Sequence, residues 1–261
     1  MVESLVVYAN YIVIQNPIDE SPMIWIHDEF SKNNWPNPAH QGLQKKNSLK
    51  YVLEKGKNVL DMGAHLGDYG ITLAIALRNI GRTDIKVYCI EPSKEKCDFM
   101  RRLSHINNVQ DNVIIICSGI SDKIGKYSLK DKEKQKWGIN TGGWQWAPDE
   151  NGIEFTTLDI LWKNKEIKNI GFFWLDAQWM EENVFNGGVN FLLECKPYIL
   201  MEYWTHSSFE EDNITVDIRT ARPGTKEQLE NDPVFSKIFN RLSIRVLDTG
   251  ELFEDFLLEF N

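Results

Sequence analysis

The segment VLDMGAHLGDYG, residues 59–70, decides the fold of this chain. It begins with a short apolar stretch typical of a buried strand, and the residues after Gly67 have helical spacing. Gly63 and Gly67 lie between the two. Open α/β sheets bind ligands at such a turn, because glycines let the backbone approach the ligand and the helix N-terminus favours anionic groups.

The spacing within this loop argues against a dinucleotide. A G-x-G-x-x-G fingerprint counted from Gly63 needs glycine at two positions that hold His65 and Asp68. Asp61 leads the loop, where its charge repels a pyrophosphate and attracts an amino group. Glu91 ends the next apolar stretch, where an acid accepts hydrogen bonds from two ribose hydroxyls. Together these residues favour a nucleotide that carries an amino acid over a plain strand–turn–helix joint.

Strands and helices alternate through the middle of the chain. Apolar stretches predict strands at 58–62, 86–90, 113–117, 171–175 and 198–201. Helical spacing predicts helices at 69–80, 94–107, 157–165 and 181–195, the last weakened at Gly187 and Gly188. Strands that are apolar throughout indicate a parallel sheet covered by helices on both faces. Thr156 and Asp159 resemble a helix-capping pair.

The two ends of the chain and one insertion depart from this alternation. A helix at 226–241 and strands at 243–247 and 253–260 predict a terminal hairpin, so that the last strand is antiparallel. Residues 1–55 hold predicted strands at 2–15 and 22–27, a loop at 33–38 and a helix at 40–55. We expect them to pack on a main domain of residues 56–261. A long connection at about 124–155 carries a charged run that we interpret as solvated loop.

The composition excludes several classes of function. The chain has 261 residues, 42% of them hydrophobic, and a formal net charge of −9. It is therefore a folded globular protein, and its charge argues against a general nucleic-acid binder. The sequence shows no basic leader and no long apolar run, so we predict neither a signal peptide nor a membrane span. Cys89 and Cys117 lie in apolar stretches, which predicts buried thiols and a cytoplasmic location.

Six motifs between residues 56 and 204 resemble, in order and spacing, those of the FkbM-type methyltransferase family. They lie at 59–70, 90–93, 118–122, 156–159, 174–181 and 196–202. The resemblance implies the Rossmann-like, class I fold that uses S-adenosyl-L-methionine (SAM) as cofactor. It implies an α/β protein with a seven-stranded, mostly parallel sheet, an antiparallel last strand and helices on both faces. Family members typically O-methylate hydroxyls of sugars or other small metabolites.

The resemblance also assigns cofactor-binding residues by position. It implies that the loop lines the methionine portion of SAM, that Glu91 holds the ribose, and that the end of the third strand borders the adenine. The resulting candidates are Asp61, Gly63, Ala64, His65, Gly67, Asp68, Tyr69, Glu91, Pro92, Ser93, Cys117, Ser118 and Gly119.

Candidates for catalysis lie after the fourth and fifth strands of the predicted sheet. Asp176, Glu181, Glu202 and His206 follow these strands, and converging carboxylates raise one another's pKa, which suits a general base. We expect Asp176 to be the base or to orient the acceptor, with a contact to the SAM amino group as the alternative. Glu181 and Glu202 can instead cap helices or form ion pairs. The sequence shows no dedicated metal-ligand cluster, and we predict no metal.

Tryptophans lie in segments expected at the acceptor side. Residues 137–146 hold three Trp and three Gly, which suits the C–H face of a sugar ring, with a β-hairpin flap packed on the body as the alternative. Trp179 stands where the family usually has glycine, and His65 where it has a small polar residue. The substrate-binding candidates are Trp137, Asn140, Thr141, Trp144, Gln178 and Trp179.

Four other functions are alternatives to a sugar O-methyltransferase. Trp179 and His65 suggest a non-catalytic SAM-fold binding or scaffold protein, and the acceptor can be another small metabolite. A nicotinamide oxidoreductase is opposed by the glycine spacing, and RNA methylation by the acidic charge. We expect a small-molecule or glycan acceptor and no nucleic-acid or membrane partner, and a homo-oligomer stays open.

Overall fold

The computed structural model describes residues 10–34, 42–129, 146–177, 180–202, 225–239, 242–247 and 255–260. Its strands are β1 (Tyr11–Gln15), β2 (Pro22–Ile26), β3 (Asn58–Met62), β4 (Val87–Ile90), β5 (Val113–Ile116), β6 (Gly119–Ile120), β7 (Gly125–Leu129), β8 (Trp146–Pro148), β9 (Ile153–Thr156), β10 (Ile170–Leu175), β11 (Tyr198–Glu202), β12 (Leu242–Leu247) and β13 (Asp255–Phe260).

The helices within the same ranges are α1 (Glu29–Asn34), α2 (Gly42–Lys55), α3 (Gly70–Asn79), α4 (Lys94–Ile106), α5 (Leu158–Lys163), α6 (Glu181–Asn186), α7 (Val189–Cys195), α8 (Lys226–Asn231) and α9 (Ser236–Phe239). Helices α3, α4 and α6 each follow a strand of the central sheet, as the alternating pattern predicts. None of these described helices has the length and apolar character needed to cross a membrane.

The central sheet has the strand order β12-β13-β11-β10-β3-β4-β5. β11, β10, β3, β4 and β5 pair in parallel, whereas β13 is antiparallel to both β11 and β12. This confirms the predicted seven-stranded, mostly parallel sheet with an antiparallel last strand. The chain runs outward from β3 to β5 and then returns to β10 on the other side of β3. Open α/β sheets bind ligands at such a reversal of strand order.

Two hydrophobic clusters cover the two faces of this sheet. Alternate residues of a strand point to opposite faces, so Val59 belongs to one cluster and Leu60 to the other. Helices α2, α3 and α4 contribute buried residues to the first cluster, and α5, α6 and α7 to the second. Every residue of β3, β4 and β10 is buried, as the uniformly apolar stretches predict.

The insertion carries a second sheet. Strands β6, β9, β7 and β8 form it in that order, and Phe155 packs between Tyr127 and Trp146, with ring centroids 4.5 and 5.2 Å away. The predicted long connection at about 124–155 is therefore not a loop throughout, because the chain forms strands at both of its ends. The charged run at 130–136 lies outside the described residues.

Two antiparallel strands near the N-terminus pack on the first cluster. β1 pairs with β2, and Trp25 is buried against Phe99 of α4. The Asn107 side chain fixes β2, because its oxygen accepts the Ile24 N–H at 2.9 Å and its amide donates to the Ile24 carbonyl at 2.8 Å. Residues 2–9 of the predicted first strand lie outside the described ranges.

The predicted loop at 33–38 is wrong at its start. Asn33 and Asn34 belong to α1, which begins where the Asp28 carboxylate accepts the Ser31 N–H at 2.9 Å. The Asn34 side chain donates to the Phe30 carbonyl within the same helix. Residues 35–38 lie outside the described ranges.

The predicted helix at 226–241 is two helices, α8 and α9. Pro233 has no N–H to continue a helix, and the Asp232 carboxylate accepts the Val234 N–H at 2.8 Å, which redirects the chain into α9. Likewise 181–195 divides into α6 and α7 at the weak point predicted from its two glycines. A Cβ at Gly187 would lie 2.1 Å from the Ser121 carbonyl oxygen.

The predicted capping pair of Thr156 and Asp159 is also wrong. Thr156 belongs to β9, and the Thr157 hydroxyl caps α5 by accepting the Ile160 N–H at 3.2 Å. The Asp159 carboxylate turns instead to α7, where it accepts the Phe191 N–H at 2.7 Å. The side chain is thus used between helices rather than within one.

Candidate functional site

Strand register brings five predicted site residues to one edge of the central sheet. Met62 is paired with Ile90 and with Leu175, Ile90 with Ile116, and Leu175 with Met201. The residues that follow these in the chain therefore lie side by side at the carboxyl edge, and they are Cys117, Glu91, Gly63, Asp176 and Glu202.

The glycine loop rises from this edge and has a left-handed backbone at three positions. The φ angles are +78° at Gly63, +49° at His65 and +81° at Gly67. A Cβ at Gly63 would lie 1.8 Å from the Asp176 carbonyl oxygen, so only glycine allows the loop to pass the end of β10. The Asp176 N–H in turn donates to the Met62 carbonyl at 3.1 Å. The structure therefore brings the predicted base directly against the predicted cofactor loop.

Asp61 lies beneath the loop and supports it. Its carboxylate accepts the Gly70 N–H at 2.9 Å at the start of α3, and only 1% of the residue is exposed. Burial raises the pKa of Asp61 well above its usual value, and the nearby Asp68 carboxylate raises it further. The predicted attraction of an amino group by Asp61 stays a prediction, while its support of the loop is observed.

Glu91 joins the loop to the end of β4. One carboxylate oxygen accepts the His65 N–H at 3.1 Å and the other accepts the Ser93 N–H at 2.9 Å. Burial raises the pKa of Glu91, and the Lys96 ammonium opposes this rise. Pro92 lies in the chain between Glu91 and Ser93. A carboxylate oxygen has two lone pairs, so Glu91 can accept further hydrogen bonds from a ribose.

His65 is held neutral within the loop. The residue is buried, and this burial lowers the pKa of its imidazole well below the usual value, with the Lys96 and Lys45 ammonium groups adding to the effect. A neutral imidazole has one donor and one acceptor nitrogen. Ala64 is buried and donates its N–H to the Ile90 carbonyl at 3.1 Å, and Tyr69 is buried and stacks on Trp174 at 4.0 Å.

Two buried lysines beside the loop escaped sequence reasoning. Lys45 of α2 reaches the Asp68 carboxylate at 2.6 Å, and no part of its side chain is exposed. Lys96, in the first turn of α4, is 5% exposed, and its burial lowers the pKa of its ammonium. Sequence gives only a weak signal for either, because a lysine on an amphipathic helix is ordinarily solvated.

The predicted adenine border lies beyond Glu91 and contains one correction. Cys117 is exposed, not buried as its apolar neighbours suggested, because β5 ends at Ile116 at the edge of the sheet. The Ser118 hydroxyl donates to the Gly119 carbonyl at 3.0 Å. A Cβ at Gly119 would lie 2.2 Å from the Phe155 ring, which ties this corner to the insertion.

Of the other predicted catalytic and substrate residues, two lie within the described residues and seven lie outside them. Glu202 is half-buried at the end of β11, and Glu181 is buried at the start of α6. Within the described residues, no group of three or more His, Cys, Asp or Glu side chains could hold a metal ion. The candidates outside the described residues are Trp137, Asn140, Thr141, Trp144, Gln178, Trp179 and His206.

The residues at this edge fit SAM. Gly63 and Gly67 give the loop a left-handed backbone without side chains, and Asp68 offers a carboxylate to a cationic amino-acid end. Glu91 supplies acceptors beside them at the end of the next strand. The sheet order and this edge together define the Rossmann-like fold of class I methyltransferases.

The chain belongs to the FkbM methyltransferase domain family. That family's model matches residues 61–235, about two thirds of the chain. This confirms the resemblance drawn from the motifs: the protein is a methyltransferase, and SAM is its cofactor. No curated protein gives a significant match.

Several solved structures resemble the chain at low identity. An O-methyltransferase from Bacillus cereus in complex with SAH is 16% identical, with 84% of this chain and 80% of that chain covered and a TM-score of 0.45. The SAH-bound Podospora anserina methyltransferase PaMTH1 is 14% identical, with 100% and 95% covered and a TM-score of 0.47. The methyltransferase FkbM from Methylobacillus flagellatus KT is 14% identical, with 79% and 44% covered and a TM-score of 0.43.

Proposed function

We propose that the protein transfers a methyl group from SAM to a hydroxyl of a sugar or glycan-type acceptor. The observation that carries the proposal is the position of Asp176 at the carboxyl edge, one strand from Gly63 of the cofactor loop and in register with it. A carboxylate beside the cofactor suits a hydroxyl acceptor, because the hydroxyl must lose its proton during transfer. Another small metabolite with a hydroxyl is the alternative acceptor.

Asp176 is the residue that we expect to handle the acceptor proton. When bound, SAM supplies an electrophilic methyl group, whose bond to the sulfonium sulfur breaks as the acceptor oxygen attacks the methyl carbon. The Asp176 carboxylate accepts the hydrogen bond of the acceptor hydroxyl, orients its oxygen and takes up the proton. A positioned base of this kind contributes about 10²–10⁴-fold. The Asp176 backbone is fixed by its N–H bond to the Met62 carbonyl, which supports a defined orientation.

The preference for a sugar rests on the Trp-rich segment at 137–146. An indole offers a flat apolar face and one N–H donor, which suits a sugar ring. Its described end, Trp146, packs on Phe155 of the small sheet, 5.2 Å between centroids. That contact favours the packed-flap alternative for this one tryptophan. Trp174 is buried in the core and plays no part in the acceptor proposal.

An acceptor screen combined with one substitution tests the proposal. Purified protein is incubated with SAM and sets of nucleotide-sugars, glycans and small hydroxylated metabolites, and SAH release is measured. With an active acceptor, Asp176→Asn should lower turnover by about 10²–10⁴-fold while SAM affinity, measured by calorimetry, stays unchanged. Asp84→Asn is the matched control, because Asp84 is an exposed carboxylate paired with Arg82.

Three outcomes contradict parts of the proposal. Full turnover by Asp176→Asn removes this residue from proton transfer. Methylation of metabolites but of no sugar selects the alternative acceptor class. SAM binding without turnover on any acceptor supports the non-catalytic binding or scaffold protein that His65 and Trp179 suggest.

We further propose that the protein acts in the cytoplasm on a small-molecule or glycan acceptor, without a nucleic-acid or membrane partner. The four cysteines are all thiols, with Cys89 and Cys97 buried, which suits a reducing compartment. The net charge of −9 opposes association with polyanions. Cell fractionation that recovers the protein outside the cytoplasm contradicts the location, and light scattering decides whether it is a homo-oligomer.

A further inference from the structure

The Lys45–Asp68 ion pair connects a helix outside the family match to the cofactor loop. Lys45 belongs to α2, whereas the family match begins at residue 61. Its Nζ lies 2.6 Å from the Asp68 Oδ2, and its side chain is completely buried. The Asp68 backbone is also fixed, because the Thr72 hydroxyl donates to its carbonyl at 2.8 Å.

Such a pair is an expensive way to stabilise a fold. Removing the Lys45 ammonium from water is unfavourable, and apolar residues of similar volume often stabilise a core as well as a buried ion pair or better. The contact is also specific in its placement, since Asp68 directly follows Gly67, whose φ is +81°. A role for the pair in ligand binding accounts for both features.

Asp68 is the acid of the loop that is open to a ligand. Asp61 is 1% exposed and accepts the Gly70 N–H, and Glu91 lies outside the loop, at the end of β4, where it is expected at the ribose. The Asp68 side chain, in contrast, is 15% exposed, and only one of its oxygens contacts Lys45. The methionine end of SAM carries an ammonium group, which needs an accessible carboxylate.

We propose that Lys45 is a positioning residue of the cofactor site, which holds the Asp68 carboxylate toward the amino-acid end of SAM. Lys45 does not touch the cofactor, because it is completely buried beneath Asp68. The inference deepens the proposed function and rests on SAM being the methyl donor. The Lys45 ammonium also lowers the pKa of the buried Asp61, whereas the Asp68 carboxylate raises it.

Two ligands separate this role from a merely structural one. S-adenosylhomocysteine carries the amino-acid end, whereas 5′-methylthioadenosine has the same adenosine and a thioether but lacks that end. Affinities for both are measured by calorimetry on the full chain. Lys45→Met should weaken S-adenosylhomocysteine by about tenfold or more and leave 5′-methylthioadenosine within about twofold, because about tenfold is the effect of losing one charge-assisted hydrogen bond.

Two further variants keep the test decisive if Lys45→Met does not fold. Asp68→Asn keeps Lys45 and removes the negative charge, and Lys45→Met with Asp68→Asn removes both charges of the pair and leaves neither unpaired. Both should show the same selective loss of S-adenosylhomocysteine. Glu91→Gln is the comparison, since Glu91 is expected at the ribose and should weaken both ligands alike.

The outcomes separate the two proposals. If the wild type binds both ligands and their affinity ratio is the same in the Lys45 and Asp68 variants, the positioning role is overturned and the methyltransferase assignment is untouched. If the wild type binds neither ligand, the cofactor is wrong and the positioning role falls with it. A selective loss in Lys45→Met supports the role, whereas a selective loss confined to the variants that lack the Asp68 carboxylate supports the Asp68 contact and overturns the role of Lys45.

Discussion

Replacing Gly63 by alanine tests how closely the cofactor loop and Asp176 depend on each other. The new Cβ would lie 1.8 Å from the Asp176 carbonyl oxygen and 2.9 Å from its carbon. Because real Cβ atoms keep about 3.0 Å or more, this carbonyl has to move by roughly 1.2 Å in a close-packed region. The residue also has a φ of +78°, which alanine adopts only with strain.

Gly81 supplies a matched control for this substitution. Its φ is also +78°, but a Cβ there meets nothing within 4 Å. Gly81→Ala therefore measures only the loss of stability from placing alanine on a left-handed backbone, about 1–2 kcal/mol. Gly63→Ala should cost that amount plus about 1–3 kcal/mol for overpacking, a total of about 2–5 kcal/mol. Urea unfolding of both variants and the wild type measures the difference.

The same substitution should damage the site beyond its effect on stability. A displacement of about 1 Å in a reacting group can lower the rate by about 10²-fold. Gly63→Ala should therefore bind S-adenosylhomocysteine more weakly and turn over more slowly under conditions where it is fully folded, whereas Gly81→Ala should match the wild type. Equal losses of stability in the two variants, with wild-type binding in both, would refute the close approach of the two strand ends.

Two further predictions concern groups around the loop. Burial lowers the pKa of His65, so the unfolded chain binds a proton that the folded chain rejects, and the stability from this residue is present above pH 6.5 and is lost as the pH falls. Relative to His65→Asn, the wild type should lose up to about 1.4 kcal/mol per pH unit below 6.5, and parallel urea-unfolding profiles of the two proteins would contradict this. Cys117 is exposed and should react quickly with a thiol reagent in the native protein, whereas Cys89 and Cys97 should react only on unfolding. The fast phase should disappear in Cys117→Ser, and its persistence would point to another cysteine.

The sheet was predictable because its strands are buried on both faces. Residues 58–62 and 171–175 are mostly apolar and are buried throughout, and this pattern arises where helices cover both sides of a parallel sheet. The acids that end these strands were found for the same reason. A charge directly after a buried strand has to lie at an edge, and the carboxyl ends of parallel strands share one edge.

Errors arose where a side chain is used by a distant element. Asp159 has the spacing of a capping residue, yet its carboxylate bonds the start of α7, 32 residues further along the chain. Cys117 follows an apolar strand, yet that strand is the edge of the sheet, so the thiol is exposed. Spacing reports local geometry, whereas these two outcomes depend on which elements become neighbours.

Lys45 contributes to the site, although no local sequence pattern indicates it and the family match does not include it. The sheet register alone places Glu91, Gly63 and Asp176 in one row, so the matched segment is sufficient for the geometry of the cofactor edge. The charge of that edge is a separate matter, because Asp68 is countered by a lysine from a helix that the match does not include. Since the Lys45 ammonium contacts the Asp68 carboxylate directly, α2 should decide whether the loop presents that charge to SAM.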